Sequence, residues 1–342
     1  MGERVEKWDI LKFSLIFLVV LGHICDIYIK ESAAVRAIWL CIYSFHMPLF
    51  FFVAGLFSKR KINEKQYTGI FPYFAMYIVS QMLLLLSKII FTGGYELQLL
   101  NTKDAPWFIF VLFAYYILTI MLRRFDGRYI LMGSLVLACI AGYDQSVSDM
   151  LQMSRMIVFY PFFYAGYLLD EKKVRERLSG RGVRILAALL LAVGILFVCD
   201  NIQSVYWIRP ILTGRNPYSA LKGIWYPLGG LLRLAFYLGA ALIGMMVIAV
   251  TPDRLGGGIV ARLGSRSIQV YMLHRPCIIL LCVRLQIAGW FQRIWPAHYH
   301  LLIIPLALGI TLLCSWKIFE RPIRAMTMPG VRKVSRKGRG MG

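Results

Sequence analysis

The chain has 342 residues, of which 59% are hydrophobic and 16% are charged, and its formal net charge is +22. Soluble domains are about half apolar and a quarter charged, so this composition excludes an ordinary soluble protein and indicates a polytopic membrane protein. About 20 apolar residues are needed for a helix to cross a hydrocarbon core of about 30 Å. The sequence predicts an all-α membrane bundle of about ten such helices, at residues 10–29, 38–57, 70–91, 106–124, 129–143, 153–169, 182–200, 229–250, 267–288 and 298–317.

The basic residues are distributed asymmetrically between the loops. If the N-terminus is cytoplasmic, most Lys and Arg residues lie in the loops and the tail on that side, at 58–67, 123–128, 170–184, 251–266 and 332–340. This asymmetry follows the positive-inside rule and predicts that both termini are cytoplasmic. We expect one membrane domain over residues 1–328 and a disordered basic tail at 329–342. The tail favours membrane lipids as its partner over nucleic acid.

The first predicted helix contains three ionisable residues, which are costly within a bilayer and usually mark a function or a partner. His23 follows Lys12 by eleven positions, or about 1100°, which is within about 20° of three full turns. The two side chains therefore share one stripe of the helix, and Asp26, three residues after His23, belongs to the same stripe. A carboxylate at that spacing can fix the imidazole tautomer and leave the other ring nitrogen free to take a proton. For Lys12, an anchor at the inner interface is an equally good interpretation.

The second predicted helix places His46 at a depth similar to that of His23, in the outer half of the membrane. Pro48 is expected to loosen the helix near His46 and to free backbone polar groups there. The small pair Ala54–Gly55 would permit close approach of a neighbouring helix.

Both segments resemble the opening of the acyltransferase-3 family of integral membrane proteins, closest to the fucose 4-O-acetylase-like acetyltransferase branch. "DILKFSLIFLVVLGH" carries a basic residue and an essential histidine at the family spacing, matched by Lys12 and His23. "FHMPLFFFVAGLF" is similar to the phenylalanine-rich motif of the second span. Ala54 stands where that motif usually has serine.

Four later segments extend the resemblance over about 310 residues. They read "PWF" from Pro106, "FYPFFYAGYLL" from Phe159, "SIQVYMLHRP" from Ser267 and "FERP" from Phe319. Many family members also carry an arginine pair before the third span, which this chain lacks. Its phosphate contacts would have to come from Lys59, Arg60, Lys61 or Lys65.

The resemblance implies transfer of an acetyl or other short acyl group from acyl-coenzyme A to a carbohydrate hydroxyl. The acceptor would be a cell-surface polysaccharide or its lipid-linked precursor at the cell membrane. A sugar hydroxyl is a poor nucleophile, so we predict His23 as general base, Asp26 as its orienting group and His46 as a further catalytic residue. Backbone amides near Pro48, or His46 itself, could stabilise the oxyanion. No metal is expected.

The coenzyme A phosphates are expected among basic groups on the inner side, namely Lys12, Arg266 and the run Lys59, Arg60, Lys61. Lys12 and His23 are about 16 Å apart along the helix, which is comparable to an extended pantetheine arm. Tyr271 and His274 either line the donor channel or form a structural contact between helices. Trp107 either stacks on a sugar ring or anchors the helix at the interface.

The sequence alone leaves other functions possible and gives two interpretations of one loop. A transporter or flippase for a glycan or small metabolite also suits a bundle with ionisable groups inside the membrane. A haem or quinone protein could use His23 and His46, and a scaffolding subunit would need neither. The outward loop at 201–228 is either a lid that recognises the acceptor or a plain interfacial connector.

Overall fold

A computed structural model describes residues 5–64, 69–94, 104–147, 150–296 and 298–327, and within these ranges the regular secondary structure is entirely helical. The expectation of an all-α bundle is thereby confirmed. The α-helices are α1 (Glu6–Tyr28), α2 (Ala33–Tyr43), α3 (His46–Leu56), α4 (Lys59–Asn63), α5 (Phe71–Thr92), α6 (Trp107–Leu122), α7 (Gly127–Ile140), α8 (Met153–Leu168), α9 (Glu171–Arg177), α10 (Arg181–Val205), α11 (Arg209–Leu212), α12 (Gly229–Val250), α13 (Ile259–Gly264), α14 (Ser267–Ile278), α15 (Ile287–Ile294), α16 (Ile303–Cys314) and α17 (Glu320–Thr327). Residues 65 and 329–342, which the sequence analysis assigned to the donor site and to the basic tail, lie outside the described residues.

Each predicted apolar run overlaps one or more of these helices, and the helices differ in length. Within the described ranges, five helical stretches are long and apolar enough to cross a bilayer alone: Glu6–Tyr28, Ala33–Leu56, Phe71–Thr92, Arg181–Leu212 and Gly229–Val250. A sixth results if the bent pair Tyr299–Cys314 and Lys317–Ile323 is counted as one span. The chain is therefore a helical membrane protein, and the other predicted spans correspond to shorter helices.

Helix α10 shows most directly that the exterior of the bundle is apolar. Only 6% of its most apolar stretch is buried. Leu186, Leu189, Val193 and Leu196 are all exposed along it. A helix that is apolar on every face and exposed on nearly all of it is stable only against an apolar solvent, which identifies α10 as lipid-facing.

Helix α1 lies at the centre of the bundle, where it packs against α2, α13, α14 and α16. Its N-terminal end is held by two polar side chains. Lys7 Nζ donates to the Thr251 carbonyl at 2.7 Å, and the Trp8 indole donates to Glu171 at 2.5 Å. These contacts, together with the completely buried Leu11 and Leu15, fix the rotation of α1 and hence the direction of its polar stripe.

The second predicted span is broken at Ser44–Phe45 into α2 and α3. Phe45 leaves the helical region at φ −146° and ψ −22°. Pro48 is the third residue of α3, where its missing N–H removes no hydrogen bond inside the helix. The break predicted near Pro48 is therefore real, and it lies just before His46, so that His46 begins a new helix.

Helices α3 and α8 form the most extensive helix–helix contact of the molecule. A Cβ atom on Gly55 would overlap the Phe163 carbonyl, and one on Gly166 would overlap the Phe52 carbonyl. The close approach expected at Ala54–Gly55 is thus confirmed for Gly55, and Gly166 is its counterpart on α8.

Gly166→Ala should destabilise the protein by about 1–3 kcal/mol, because the new methyl group must push apart two backbones in contact. The melting temperature of the detergent-purified protein measures this effect. Gly239→Ala on α12 is the matched control, since a Cβ there has no neighbour within 4 Å. Equal melting temperatures for the two variants would contradict the proposed contact.

Candidate active site

A cavity of about 340 Å³ brings together the residues that the sequence predicted for catalysis and acceptor binding. His23 and Asp26 from α1, His46 from α3 and Trp107 from α6 all line it. His23 and Asp26 therefore face one cavity, whereas Lys12, the third residue of the predicted stripe, does not line it.

Asp26 has three polar partners around its carboxylate. Its Oδ1 accepts a hydrogen bond from the Trp39 indole at 2.7 Å, and its Oδ2 accepts one from the Tyr43 hydroxyl at 2.8 Å. His23 Nδ1 lies 3.5 Å from Oδ2. Sequence reasoning missed Trp39 and Tyr43. Their spacing of four residues on α2 places both on one helix face, and their rings stack at 3.8 Å, but nothing local to α2 indicates that this face meets Asp26.

The Asp26 carboxylate determines which nitrogen of His23 is available. An ionised carboxylate can only accept, so the hydrogen of a neutral His23 ring is favoured on Nδ1. Nε2 is then left with a free lone pair. This is the arrangement required of a general base.

His274 packs directly against His23, with ring centroids 5.3 Å apart and planes inclined by 30°. It is completely buried, and its Nδ1 donates to the Tyr271 carbonyl at 2.7 Å. Its Nε2 has no hydrogen-bond partner in the described part of the chain. The sequence left two interpretations for His274, a residue of the donor channel or a structural contact between helices, and the structure places it beside the candidate base.

His46 has one ring nitrogen already engaged. Its Nδ1 lies 2.8 Å from the Ile42 carbonyl, which can only accept, so Nδ1 carries the hydrogen. The Nε2 of a neutral His46 is consequently an acceptor, and could donate to an oxyanion only in the protonated ring. The first amides of α3 have no acceptor within their own helix, and His46 and Met47 both line the cavity.

A partly buried ion pair lies close to these groups. The Arg275 guanidinium binds both oxygens of Asp104, through Nη2 at 2.9 Å and through Nε. Lys88 Nζ is 3.9 Å from the same carboxylate. Burial alone would raise the pKa of Asp104, but Arg275 outweighs it and holds this pKa well below its ordinary value. Asp104 also interacts electrostatically with His23, but together with Arg275 it forms a pair without formal net charge.

The segment after α10 forms another wall of the cavity. Arg209, Thr213, Arg215 and Asn216 all line it. Of the two interpretations of loop 201–228, the structure thus favours a segment that shapes the cavity over a plain connector.

The residues predicted for the donor have separate partners. Lys12 pairs with Asp9 at 2.6 Å, Arg266 pairs with Glu320 at 3.4 Å, and Lys61 Nζ donates to the Tyr73 hydroxyl at 3.0 Å. Lys59 reaches the Leu168 carbonyl at 3.3 Å, and Arg60 is 3.9 Å from Glu64.

A second, apolar cavity of about 40 Å³ lies beside the first. Tyr271, Ser267 and Tyr73 line it, and Met47 lines both cavities. Tyr271 thus occupies a position between helices next to the main cavity, and Tyr73 connects the small cavity with Lys61.

The family model described as an acyltransferase domain matches residues 5–320. The chain belongs to the acyltransferase-3 family. It is similar to the Nodulation protein NolL of Mesorhizobium japonicum, at 30% identity over 189 residues that cover 50% of this chain and 49% of that protein. It is also similar to the Nodulation protein NolL of Sinorhizobium fredii, at 25% identity over 192 residues and 50% of each chain.

The chain spans about half the length of these curated relatives. No solved structure matches it. The family match covers α1 to α16 and all the residues that line the main cavity, and it favours an acyltransferase over the transporter alternative.

Asp104→Asn should destabilise the protein by about 1–3 kcal/mol, because it removes the counter-charge of the partly buried Arg275 guanidinium. The melting temperature in detergent measures the loss, and Asp200→Asn, which changes an exposed carboxylate on α10, is the control. The double variant Asp104→Asn/Arg275→Gln should lose less than the sum of the two single variants. Additive losses would show that the pair is not coupled.

The lowered pKa of Asp104 also predicts a pH dependence. A carboxyl group whose pKa is lowered on folding stabilises the protein fully above its unfolded pKa of about 3.9 and loses this contribution as the pH falls below it. The melting temperature difference between wild type and Asp104→Asn should therefore be constant from about pH 6 to 8 and should shrink in acid. A difference that grows in acid would contradict the assignment.

Proposed function

We propose that the protein is a membrane O-acetyltransferase that moves an acetyl group from acetyl-coenzyme A to a carbohydrate hydroxyl. The observation that carries this proposal is the His23–Asp26 pair on the wall of a polar internal cavity. Membership of the acyltransferase-3 family supports the reaction class.

In the proposed reaction, His23 Nε2 removes the proton of a sugar hydroxyl as its oxygen attacks the thioester carbonyl. Asp26 holds the opposite ring nitrogen and stabilises the imidazolium that forms, while Trp39 and Tyr43 hold Asp26.

The attack produces a tetrahedral intermediate with a negative oxygen. The free amides at the start of α3, at the positive end of the helix dipole, are the groups best suited to stabilise it. Collapse of the intermediate breaks the carbon–sulfur bond. The coenzyme A thiolate leaves, takes the proton from the His23 imidazolium, and the acetyl ester of the sugar remains.

We place the acyl arm of the donor along the small apolar cavity. Lys61 at the Tyr73 end supplies a positive charge for the coenzyme A phosphates. Ser267 and Tyr271 line the path, and Met47 separates it from the main cavity. Lys12, Lys59, Arg60 and Arg266 are further candidates for phosphate contacts, after release from their present partners.

For the membrane topology, we propose ten spans in the cell membrane with both termini cytoplasmic. The basic loops support this orientation, and the short helices α6, α7, α8, α14 and α16 would complete the spans that length alone does not establish. In this orientation the main cavity lies in the outer half of the membrane. A surface polysaccharide or its lipid-linked precursor would reach it there, with Trp107 positioned to stack on a sugar ring.

His23→Ala should reduce acetyl transfer by at least about 10³-fold, and Asp26→Asn by about 10²–10⁴-fold, because the first removes the base and the second removes the charge that holds and stabilises it. Transfer of label from radioactive acetyl-coenzyme A to envelope glycan in isolated membranes measures both. His298→Ala, which changes an exposed histidine, should retain full activity. Equal labelling by His23→Ala and wild type would remove the catalytic assignment.

Lys61→Gln should raise the KM for acetyl-coenzyme A by roughly 10-fold with little change in kcat, because a phosphate contact contributes to binding of the donor in all states. Initial rates at varied donor concentration measure the effect. The control is Lys172→Gln, which removes an exposed lysine paired with Glu176. An unchanged KM in the Lys61 variant would place the phosphates elsewhere.

A further inference from the structure

The charges on the wall of the main cavity point to the chemistry of the acceptor. Three arginines line the cavity, Arg155, Arg209 and Arg215, against a single carboxylate, Asp26. With neutral histidines, the described lining therefore has a formal balance of +2. A cavity with one sign of charge and apolar walls concentrates ligands of the opposite sign.

The position of Arg209 connects this charge with the catalytic pair. Its guanidinium carbon lies 5.2 Å from the centre of the Trp39 ring, and the indole N–H of Trp39 donates to Asp26. Arg209 is thus one aromatic ring away from the residue that orients the base. An anion bound by Arg209 would lie beside the hydroxyl that His23 deprotonates.

The contacts of Arg209 leave its charge available to a ligand. In the described part of the chain, its guanidinium carbon lies 5.2 and 6.0 Å from the ring centres of Trp39 and Tyr206, and it also hydrogen-bonds the Tyr206 side chain. These partners are neutral, and the hydrogen bond to Tyr206 leaves other N–H donors of the guanidinium for a ligand. Those donors match the two oxygens of a carboxylate or a phosphate.

The segment that carries Arg209 and Arg215 is anchored to the bundle. Ser154 on α8 donates to the Gly214 carbonyl at 2.8 Å, and Asn216 donates to Thr213 at 3.0 Å. Gly214 has a φ of +63°, and a Cβ there would come within 3 Å of the Phe159 ring. Both arginines are thus part of a built wall.

Arg155 completes the arrangement on another helix. It is almost completely buried, lies 4.7 Å over the Trp107 ring and is oriented by Gln152 at 2.7 Å. The proposed sugar-stacking residue is therefore itself flanked by a guanidinium.

We propose that the acceptor is an acidic saccharide, whose carboxylate or phosphate is bound by the wall formed by Arg155, Arg209 and Arg215. This inference rests on the proposed acetyl transfer to carbohydrate and specifies the acceptor class. A positively charged acceptor would be repelled by this wall, and a neutral one would make no use of its charge.

The test uses radioactive acetyl-coenzyme A, membranes containing the full chain, and envelope glycans and glycolipids from cells that lack the protein. Anion exchange separates these glycans into a neutral and an acidic pool. We expect the label in the acidic pool. Conversion of carboxylates to neutral esters should abolish labelling if the anion is a uronate, and removal of phosphate should abolish it if the anion is a sugar phosphate.

Arg209→Gln should raise the KM for the acidic pool by roughly 10- to 100-fold, with a smaller effect on kcat, because it removes a charge-assisted contact that the acceptor makes on binding. Arg209→Lys keeps the charge but loses the paired N–H donors of the guanidinium. Its KM should lie between those of wild type and Arg209→Gln. Lys222→Gln, an exposed lysine on the same loop, should behave as wild type. Melting temperatures show whether each variant is folded.

The outcomes separate this inference from the proposed function. Label in the neutral pool, or an Arg209→Gln variant that is folded and has the KM of wild type, would overturn the acidic acceptor and leave acetyl transfer in place. Label in neither pool would contradict transfer to a carbohydrate and, with it, this inference.

Discussion

The site depends on how the Asp26 carboxylate is held between two helices at the wall of the cavity. Its side chain is 37% exposed, and the part of the carboxylate that is removed from water needs donors that replace the lost hydration. Asp26 meets this requirement with the Trp39 indole, the Tyr43 hydroxyl and the nearby His23 ring. Because these donors come from two helices, satisfying Asp26 also fixes the rotation of α1 against α2 and the direction in which His23 points.

The break between α2 and α3 also depends on how polar groups are satisfied within the bundle, here those of the backbone. Non-helical backbone at membrane depth is tolerated where it is buried in protein or lines a polar cavity. The break at Ser44–Phe45 lets α3 start at His46, which lines the cavity together with Met47. The close backbone approach at Gly55 and at Gly166 holds α3 against α8.

Charge is distributed over the site in two layers. Near the imidazole lie Asp26 and the Asp104–Arg275 ion pair. On the proposed acceptor wall lie the guanidiniums of Arg155 and Arg209, which pack on aromatic rings. In the proposed reaction, a bound anion would compensate the positive charge of this wall while His23 takes up the proton.

The sequence by itself determined the features that repeat within one helix. Apolar runs specify the all-α membrane class, and a period of 3.6 residues places Lys12, His23 and Asp26 on one stripe. Only the tertiary structure decided which groups meet that stripe. His274 stacks on His23 from 251 positions along the chain, and Arg209 reaches Trp39 from 170 positions away. Helical periodicity is a local property, whereas these neighbours depend on how separate helices rotate and pack, which no spacing within a single helix encodes.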